Sequence, residues 1–262
     1  MGGKQLDRVA AVTGGAGGIG AATVVRLRAA GWQVAILDRD MDLARKIASE
    51  TGGIAREIDL GDGDSIRAAA DWVEAEMGPV EALACVAAHL ENPHNPQDQD
   101  EDEWDAIVRV NLTGTFKTLN AFGNPMRARR RGSIVTVGSI TSLNSSPLMG
   151  YGPTKAGIIN MTRNFAVAWG REGVRCNTVH PGPTRTPAVE ASYARGERSP
   201  DAMIRQTALG RLVMPEQVAN AIHFLLSDEA AAITGIELPV DSGTLATGLW
   251  LLYGGVPDNS AG

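Results

Sequence analysis

Short apolar segments rich in β-branched residues alternate with longer helical stretches through most of the chain. The candidate strands occupy residues 8–13, 33–38, 54–59, 80–86, 133–139, 175–180 and 236–241. The candidate helices lie between them, at 18–30, 41–51, 64–77, 102–122, 151–172 and 215–227. Strands that alternate with helices in this way build a parallel sheet with helices on both faces. The pattern therefore predicts an α/β fold, doubly wound, in a single domain that spans residues 1–262.

Composition narrows the class of protein and of partner. The 262 residues are 44% hydrophobic and 21% charged, values typical of a globular protein and not of a disordered one. A net charge of -6 gives no basic field for nucleic acid or an anionic membrane surface. No apolar window of about 18 residues and no signal-peptide pattern is found, and the two cysteines fit no metal motif. We therefore expect a cytoplasmic protein without a metal, whose partner is a small molecule.

A glycine-rich turn directly follows the first candidate strand. Residues 13–20 read TGGAGGIG and lead into a candidate helix. Glycines let the backbone approach a pyrophosphate closely, while the N–H groups at the helix start face its negative charge. The turn predicts a dinucleotide site, with Gly14, Gly18, Ile19 and Gly20 as candidate contacts.

The end of the second strand indicates which dinucleotide binds. Asp38 lies 18 residues after Gly20, close to the spacing of the acid that binds the adenosine ribose. A carboxylate there accepts hydrogen bonds from ribose hydroxyls and repels a 2′-phosphate, so we expect NAD rather than NADP; Arg39 could soften this preference. The alternative for Asp38 is a turn residue at a strand end. Asp59 and Leu60, after the third strand, are candidates for the adenine, with helix capping as the alternative for Asp59.

Acid and base chemistry is indicated by the segment YGPTK. Tyr151 and Lys155 stand four residues apart at a helix start, so their side chains share a face. A nearby cation favours phenolate, which lets tyrosine exchange a proton well below its usual pKa of about 10. Ser139, at the end of the fifth candidate strand, would present its hydroxyl at the same sheet edge. Taken singly, these residues could be a packed tyrosine, a solvated lysine and a turn serine.

These motifs together resemble the short-chain dehydrogenase/reductase family, over residues 8–243. The matching pieces are TGGAGGIG, Asp38, Asp59-Leu60, Asn111 in VNLTGTF, Ser139 in VGSI, YGPTK, HPGPTRT and ELPVDSG. The resemblance implies a Rossmann-like, seven-stranded parallel sheet flanked by helices. It also implies nicotinamide-dependent oxidation of alcohols or reduction of carbonyls, and frequently a homotetramer.

The same resemblance assigns roles by position. Tyr151 would be the general acid/base, Ser139 would orient the substrate oxygen, and Lys155 would lower the tyrosine pKa and bind the nicotinamide ribose. Asn111 would hold a water that links Lys155 to solvent. The remaining cofactor contacts, around the nicotinamide carboxamide, would come from Pro181, Gly182, Thr184 and Thr186.

One segment departs from the family pattern. Where the family usually has Asn-Asn-Ala-Gly after the fourth strand, this chain has Cys85, Val86, Ala87 and Ala88, followed by His89. The missing asparagine removes a side-chain hydrogen bond between strands, and alanine in place of glycine changes how closely the backbone approaches the cofactor. We expect the departure to affect cofactor geometry more than chemistry.

Two long loops, 89–105 and about 183–212, follow carboxyl ends of strands, where α/β sheets bind ligands. They are candidates to shape the substrate pocket, with surface connection as the alternative. Candidate substrate contacts are His89, Thr141, Met149, Pro183 and Tyr193, a mixed set that suits a cyclic, aromatic, steroid or polyol alcohol.

Two other functions stay open: a 3-oxoacyl-carrier reductase, and a catalytically silent nucleotide-sensing protein.

Overall fold

Seven parallel strands form one sheet in the order β3-β2-β1-β4-β5-β6-β7 in the computed structural model, which describes residues 8–197 and 199–257. The strands are β1 (Val9–Thr13), β2 (Gln33–Asp38), β3 (Ile54–Glu57), β4 (Val80–Cys85), β5 (Gly132–Val137), β6 (Val174–Pro181) and β7 (Glu237–Val240). The predicted Rossmann-like, doubly wound fold is confirmed, and each candidate strand is present with bounds shifted by at most two residues.

Helices cover both faces of this sheet. The longer ones are α1 (Gly18–Ala29), α2 (Met41–Thr51), α3 (Gly63–Glu76), α5 (Thr115–Ala128), α6 (Tyr151–Gly170) and α9 (Pro215–Leu226). The shorter ones are α4 (Glu101–Ile107), α7 (Pro187–Ala194) and α8 (Pro200–Ile204). Helices α7 and α8 lie within the long loop at 183–212, whose residue 198 is outside the described ranges. No helix in the described ranges is long and apolar enough to cross a membrane.

The near-continuous apolar runs in the sequence correspond to strands at the centre of the sheet. All five residues of β1, VAAVT, are buried, because neighbouring strands flank it and helices cover both of its faces. One core layer packs beneath α3, α5 and α6 and includes Leu119 and Phe122. The other packs beneath α1 and α9 and includes Leu27 and Ile222. Two apolar layers therefore hold the sheet between its helices.

The position of β1 creates the crevice where a ligand can bind. Strand β1 pairs with β2 on one side and with β4 on the other, so Thr13 lies beside both Leu37 and Cys85. The chain reverses its winding direction between β1 and β4, and the connections on the two sides of that point diverge at the carboxyl ends. The glycine-rich turn after β1 opens at this crevice.

One predicted helix, 102–122, is wrong in its extent and regularity. The structure divides it into α4, a π-helical turn at Val108–Gly114 and α5, which continues to Ala128. Residue Gly114 allows a close approach, because a Cβ there would lie 2.4 Å from the carbonyl oxygen of Leu60. The wide turn brings Asn111 towards the loop after β4, as the site geometry shows.

Candidate functional site

The glycine-rich turn folds tightly against the first turn of α1. Gly14 has a φ of +65°, in the left-handed region that favours glycine, and its carbonyl accepts a hydrogen bond from the Gly17 N–H at 3.1 Å. A Cβ at Gly20 would lie 1.9 Å from the Gly14 carbonyl oxygen, so a larger residue would force the turn open. Gly17, at the helix N-cap, has no side chain with which to cap α1. The first N–H groups of α1 can therefore bind an anion, as a pyrophosphate site requires.

Thr186 lies directly beside this turn. A Cβ at Gly18 would be 2.9 Å from the Thr186 Cβ, so the loop after β6 and the start of α1 are in contact. Pro181 ends β6, while the Thr184 hydroxyl donates to the Gly182 carbonyl at 2.9 Å. The structure thus brings Thr186, one of the four residues predicted to hold the nicotinamide carboxamide, into contact with Gly18, one of the residues predicted to hold the pyrophosphate.

Asp38 also contacts the glycine-rich turn. Its carboxylate accepts hydrogen bonds from the Ala16 N–H at 3.0 Å and from the Asp40 N–H at 3.1 Å. The carboxylate therefore has the turn role that was the alternative, and its contact with the ribose stays a prediction. Asp59 is exposed and accepts from Gly61 at 2.7 Å in its own turn, whereas Leu60 is buried.

Tyr151 and Lys155 lie on the first turn of α6, as their spacing predicts. The Lys155 ammonium is 5.4 Å from the centroid of the Tyr151 ring and donates to the Val137 carbonyl at 2.7 Å. Lys155 is 2% exposed, and burial lowers its pKa from 10.5 to about 8. The nearby Cys85 thiol is fully buried, and this burial raises its pKa to about 12. The thiol at the position of the family asparagine is therefore neutral.

Ser139 stands two residues beyond β5, not at its end as predicted. It is the N-cap of a short 3-10 turn at Ile140–Ser142, and its hydroxyl accepts from the Thr141 N–H at 3.2 Å. His180, buried on β6, has its Nδ1 3.0 Å from the Ser139 carbonyl oxygen. A Cβ at Gly138 would lie 2.4 Å from the same nitrogen, so glycine is needed there. His180 was not among the residues predicted from the sequence, and its sequence signal is its place in the HPGPTRT segment.

Asn111, in the π-helical turn, binds the backbone of His89. Its Oδ1 accepts from the His89 N–H at 2.7 Å, and its Nδ2 donates to the His89 carbonyl at 3.0 Å. Both ends of the fully buried amide are therefore in use within the protein. The water that Asn111 is expected to hold stays a prediction.

The segment that departs from the family pattern packs on the glycine-rich turn. The N–H groups of Val86 and Ala87 point to the Thr13 carbonyl at 3.2 and 3.1 Å. A Cβ at Gly14 would lie 2.7 Å from the Ala87 Cα. The segment and the glycine-rich turn are thus in close contact, which the absence of a side chain at Gly14 permits, and the effect of the departure on cofactor geometry stays a prediction.

The predicted substrate contacts are all at least partly buried around this edge of the sheet. The Thr141 hydroxyl is a buried oxygen with no hydrogen-bond partner among the described residues. Tyr193, on α7, donates its hydroxyl to the Met203 sulfur at 3.3 Å and so fastens α7 to α8. The Pro183 carbonyl accepts from Val213 at 2.9 Å, which ties down the start of the loop. His89 and Met149 are half-buried.

A family model, curated relatives and solved structures each match most of this chain. The family model described as enoyl-(acyl carrier protein) reductase matches residues 14–244. The 2-(S)-hydroxypropyl-CoM dehydrogenase 3 of Xanthobacter autotrophicus is 34% identical over 257 residues, covering 94% of this chain and 100% of that protein. The 3-alpha-(or 20-beta)-hydroxysteroid dehydrogenase of Mycobacterium bovis is 34% identical over 249 residues, covering 94% and 92%.

Two solved structures share the fold over almost the whole chain. A crystal structure described as ribose-5-phosphate isomerase from Brucella melitensis 16M has a TM-score of 0.95 at 41% identity, covering 97% of this chain and 98% of that one. An oxidoreductase of the short-chain dehydrogenase/reductase family from Burkholderia thailandensis has a TM-score of 0.86 at 35% identity, covering 97% and 100%. With the site geometry and the matched family model, these likenesses lead to one assignment: the chain belongs to the short-chain dehydrogenase/reductase family of oxidoreductases.

Proposed function

We propose that the protein is an NAD-dependent oxidoreductase that interconverts a secondary alcohol and a ketone. The observation that carries the proposal is the placement of Tyr151 and the buried Lys155 on one turn of α6, next to the Ser139 turn. A proton-exchanging phenol, a cation and a hydroxyl at one point are what removal of a proton from an alcohol requires. The two relatives named above are dehydrogenases of secondary alcohols by name, which supports the same class.

In this proposal, Ser139, Tyr151 and Lys155 each have a separate role in the reaction. Ser139 would donate a hydrogen bond to the substrate oxygen and hold it beside the Tyr151 phenol. In the oxidation direction, Tyr151 would take the hydroxyl proton as phenolate, a form that the Lys155 charge stabilises. When bound, the nicotinamide supplies the hydride acceptor or donor. The protein then contributes position and electrostatics around the carbinol carbon.

The choice of NAD rests on Asp38. Its carboxylate is fixed at the end of β2 by two backbone N–H groups, where a 2′-phosphate would meet a negative charge. The neighbouring Arg39 is exposed and offers a cation that could pair with such a phosphate. We place Asp38 as the deciding residue and therefore propose NAD as the preferred cofactor, with Asp59 and Leu60 at the adenine.

For the substrate we propose a cyclic, aromatic, steroid or polyol secondary alcohol. The candidate pocket residues combine apolar Met149 and Pro183 with polar Thr141, His89 and Tyr193. The second candidate is a 3-oxoacyl-carrier reductase: the description of the matched family model, enoyl-(acyl carrier protein) reductase, shares the carrier-bound substrate with it but names reduction of a C=C bond and not of a ketone. The sensor hypothesis is disfavoured by the complete Asn111, Ser139, Tyr151 and Lys155 set, since a sensor needs no activated tyrosine.

The test is NADH formation by the purified protein across cyclic, aromatic, steroid and polyol alcohols, with NADP in parallel. A 3-oxoacyl thioester, read by oxidation of NADH or NADPH, tests the second candidate. Ribose 5-phosphate, read by formation of its ketose isomer without any change in the cofactor, tests for an isomerase. Tyr151→Phe is the matched blank: it should bind NADH normally and lose about 10²–10⁴-fold in turnover. Near-normal turnover in this variant would remove Tyr151 from its central role, and silence across the panel with NADH still bound would favour a sensor.

Assembly and location belong to the same proposal. We propose a homotetramer, supported by exposed apolar side chains such as Val167, at 84% exposure, and Leu252, at 76%. Light scattering on the purified protein would give the mass directly. A cytoplasmic location stays a prediction that fractionation of the source cells would test.

A further inference from the structure

Helix α6, which carries Tyr151, begins without a cap of its own. Its N-cap residue is Gly150, which has no side chain, and its first turn contains no acidic residue. The first N–H groups of a helix need acceptors when they are buried. Here the acceptor comes from far away in the sequence: the Glu91 carboxylate binds the Gly150 N–H at 3.0 and 3.1 Å and the Tyr151 N–H at 2.8 Å.

Glu91 belongs to the loop after β4 and is 4% exposed. A buried carboxylate is stable only where hydrogen bonds or charges compensate for its lost hydration. The two N–H groups and the positive end of the α6 dipole provide that compensation. Glu91 therefore joins two segments that both reach the site, the loop after β4 and the start of α6.

His94 supports the Glu91 carboxylate from the same loop. Its Nε2 is 3.5 Å from the nearer Glu91 oxygen and 2.9 Å from the Gln99 side-chain oxygen. The His94 N–H donates to the Pro147 carbonyl at 3.0 Å, which makes a second tie to the segment before α6. Hydrogen bonds to Gln99 and to the Asn92 carbonyl, together with the Glu91 charge, raise the pKa of His94.

The opposite end of this short segment is held just as firmly. Asn111 binds both backbone polar groups of His89, two residues before Glu91. Residues 89–94 thus connect Asn111 on the π-helical turn with Tyr151 on α6. A displacement at either end would be transmitted through the backbone of this segment and the Glu91 carboxylate.

We propose that Glu91 is a positioning residue for Tyr151: its carboxylate fixes the start of α6, and its negative charge helps to set the pH at which the Tyr151 phenol exchanges its proton. The inference rests on the proposed function, because it takes Tyr151 as the acid/base group. Glu91 acts through the backbone and the field, without contact to the reacting atoms.

The direction of the charge effect depends on the groups around the phenol. Lys155 favours phenolate, whereas a negative charge at Glu91 disfavours it, so removal of that charge lowers the Tyr151 pKa. Unit charges roughly 10 Å apart at an effective dielectric constant of about 20 shift a pKa by about one unit. Other titratable or charged groups on the surrounding elements include Cys85 on β4, His89 and His94 on the loop, Glu101, Asp102, Glu103 and Asp105 on α4, Arg109 on the π-helical turn, and His180 on β6 with its neighbour Glu237 on β7.

Phenolate absorbance gives a test that needs no substrate. The chain has three tyrosines, so subtracting the alkaline titration of Tyr151→Phe from that of the native protein isolates Tyr151. The same procedure is repeated without the Glu91 charge: the titration of the double variant Glu91→Gln/Tyr151→Phe is subtracted from that of Glu91→Gln, which again isolates Tyr151. We expect Tyr151 to titrate about one pH unit lower in Glu91→Gln than in the native protein. The pH profile of kcat should move in the same direction, and kcat should fall about tenfold.

Two further variants distinguish the positioning role of Glu91 from the effect of its negative charge. Glu91→Asp keeps the charge on a shorter side chain, so its titration should stay near the native one while kcat falls. Glu74→Gln is the matched control: Glu74 also accepts a backbone hydrogen bond, from Val80 at 3.0 Å, but at the opposite edge of the sheet. Its loss should lower stability and leave the Tyr151 titration in place.

An unchanged titration in Glu91→Gln, or a shift equal to that in Glu74→Gln, would overturn the role of the charge. Native kcat in Glu91→Asp would overturn the positioning role, and this variant decides if Glu91→Gln does not fold. Lack of turnover by the native protein with every alcohol would count against the proposed function instead, because the titration is read without turnover.

Discussion

Replacing Lys155 by methionine tests how strongly burial acts on the ammonium at the centre of the site. Lys155 is 2% exposed, and the Val137 carbonyl is the acceptor of its hydrogen bond. Burial disfavours the charged form and lowers the pKa from 10.5 to about 8. Methionine keeps much of the side-chain volume and carries no charge. The variant therefore removes the titration and leaves most of the packing.

The sign of the effect is set by proton uptake. Between pH 8 and 10.5 the unfolded chain binds more protons at Lys155 than the folded protein does. The free energy of unfolding therefore rises with pH in this window. The difference between the two pKa values corresponds to about 3 kcal/mol, and most of it is gained between pH 7 and pH 10. Below pH 7 the buried charge destabilises the native protein by nearly the full amount.

Urea unfolding of nucleotide-free protein at several pH values between 7 and 10 measures this gain. The buried thiols of Cys85 and Cys176 have raised pKa values, so their titration lowers stability at high pH and acts in the opposite sense. Both thiols are kept in Lys155→Met, so the difference between the two proteins reports the titration of the lysine together with its electrostatic coupling to Cys85 and Tyr151, and burial of the lysine is the larger effect. We expect the native protein to gain about 2–3 kcal/mol relative to the variant between pH 7 and pH 10.

Exposed Lys46 provides the control, since Lys46→Met should follow the native pH dependence. Parallel stability curves for the native protein and Lys155→Met would refute the reasoning, because they would mean that burial leaves the Lys155 pKa at its ordinary value.

Three other substitutions test separate parts of the structure. Asp38→Ala should weaken NADH binding about tenfold and reduce discrimination against NADPH in fluorescence titrations; an unchanged preference would mean that another residue reads the ribose. Gly20→Ala places a Cβ 1.9 Å from the Gly14 carbonyl oxygen, so NADH affinity should fall, and native affinity would exclude the turn as the pyrophosphate site. Gly123→Ala places a Cβ 2.2 Å from the Trp169 ring, so urea unfolding should show a loss of about 1–3 kcal/mol; no loss would mean that the ring moves without strain.

The strands of the sheet could be predicted well from the sequence, because the pattern that marks each strand lies within a few adjacent residues. Strands buried on both faces need continuous apolar runs such as VAAVT, and each run is short and bounded by turn residues. The glycine-rich turn and the Tyr151–Lys155 spacing are local as well, so their positions could be read from a few adjacent residues. The structure places both where the motifs indicate.

Long-range contacts account for what the sequence analysis missed. Glu91 and Gly150 are 59 residues apart, and His180 and Ser139 are 41 apart. No periodicity connects such pairs, because the fold itself brings them together. The π-helical turn was not predicted for a related reason: its residues have ordinary helical character, and the close approach of Gly114 to Leu60, 54 residues earlier, is visible only in the folded chain.

The π-helical turn also fixes the length of this part of the chain. Each residue added to or removed from a helix rotates the rest of that helix by about 100°. A single deletion within Val108–Gly114 could restore regular α-helical bonding, yet it would rotate α5 and carry Leu119 and Phe122 out of the core. Relatives that retain this core should therefore align with this chain without insertions or gaps across the turn, even where their residue types differ.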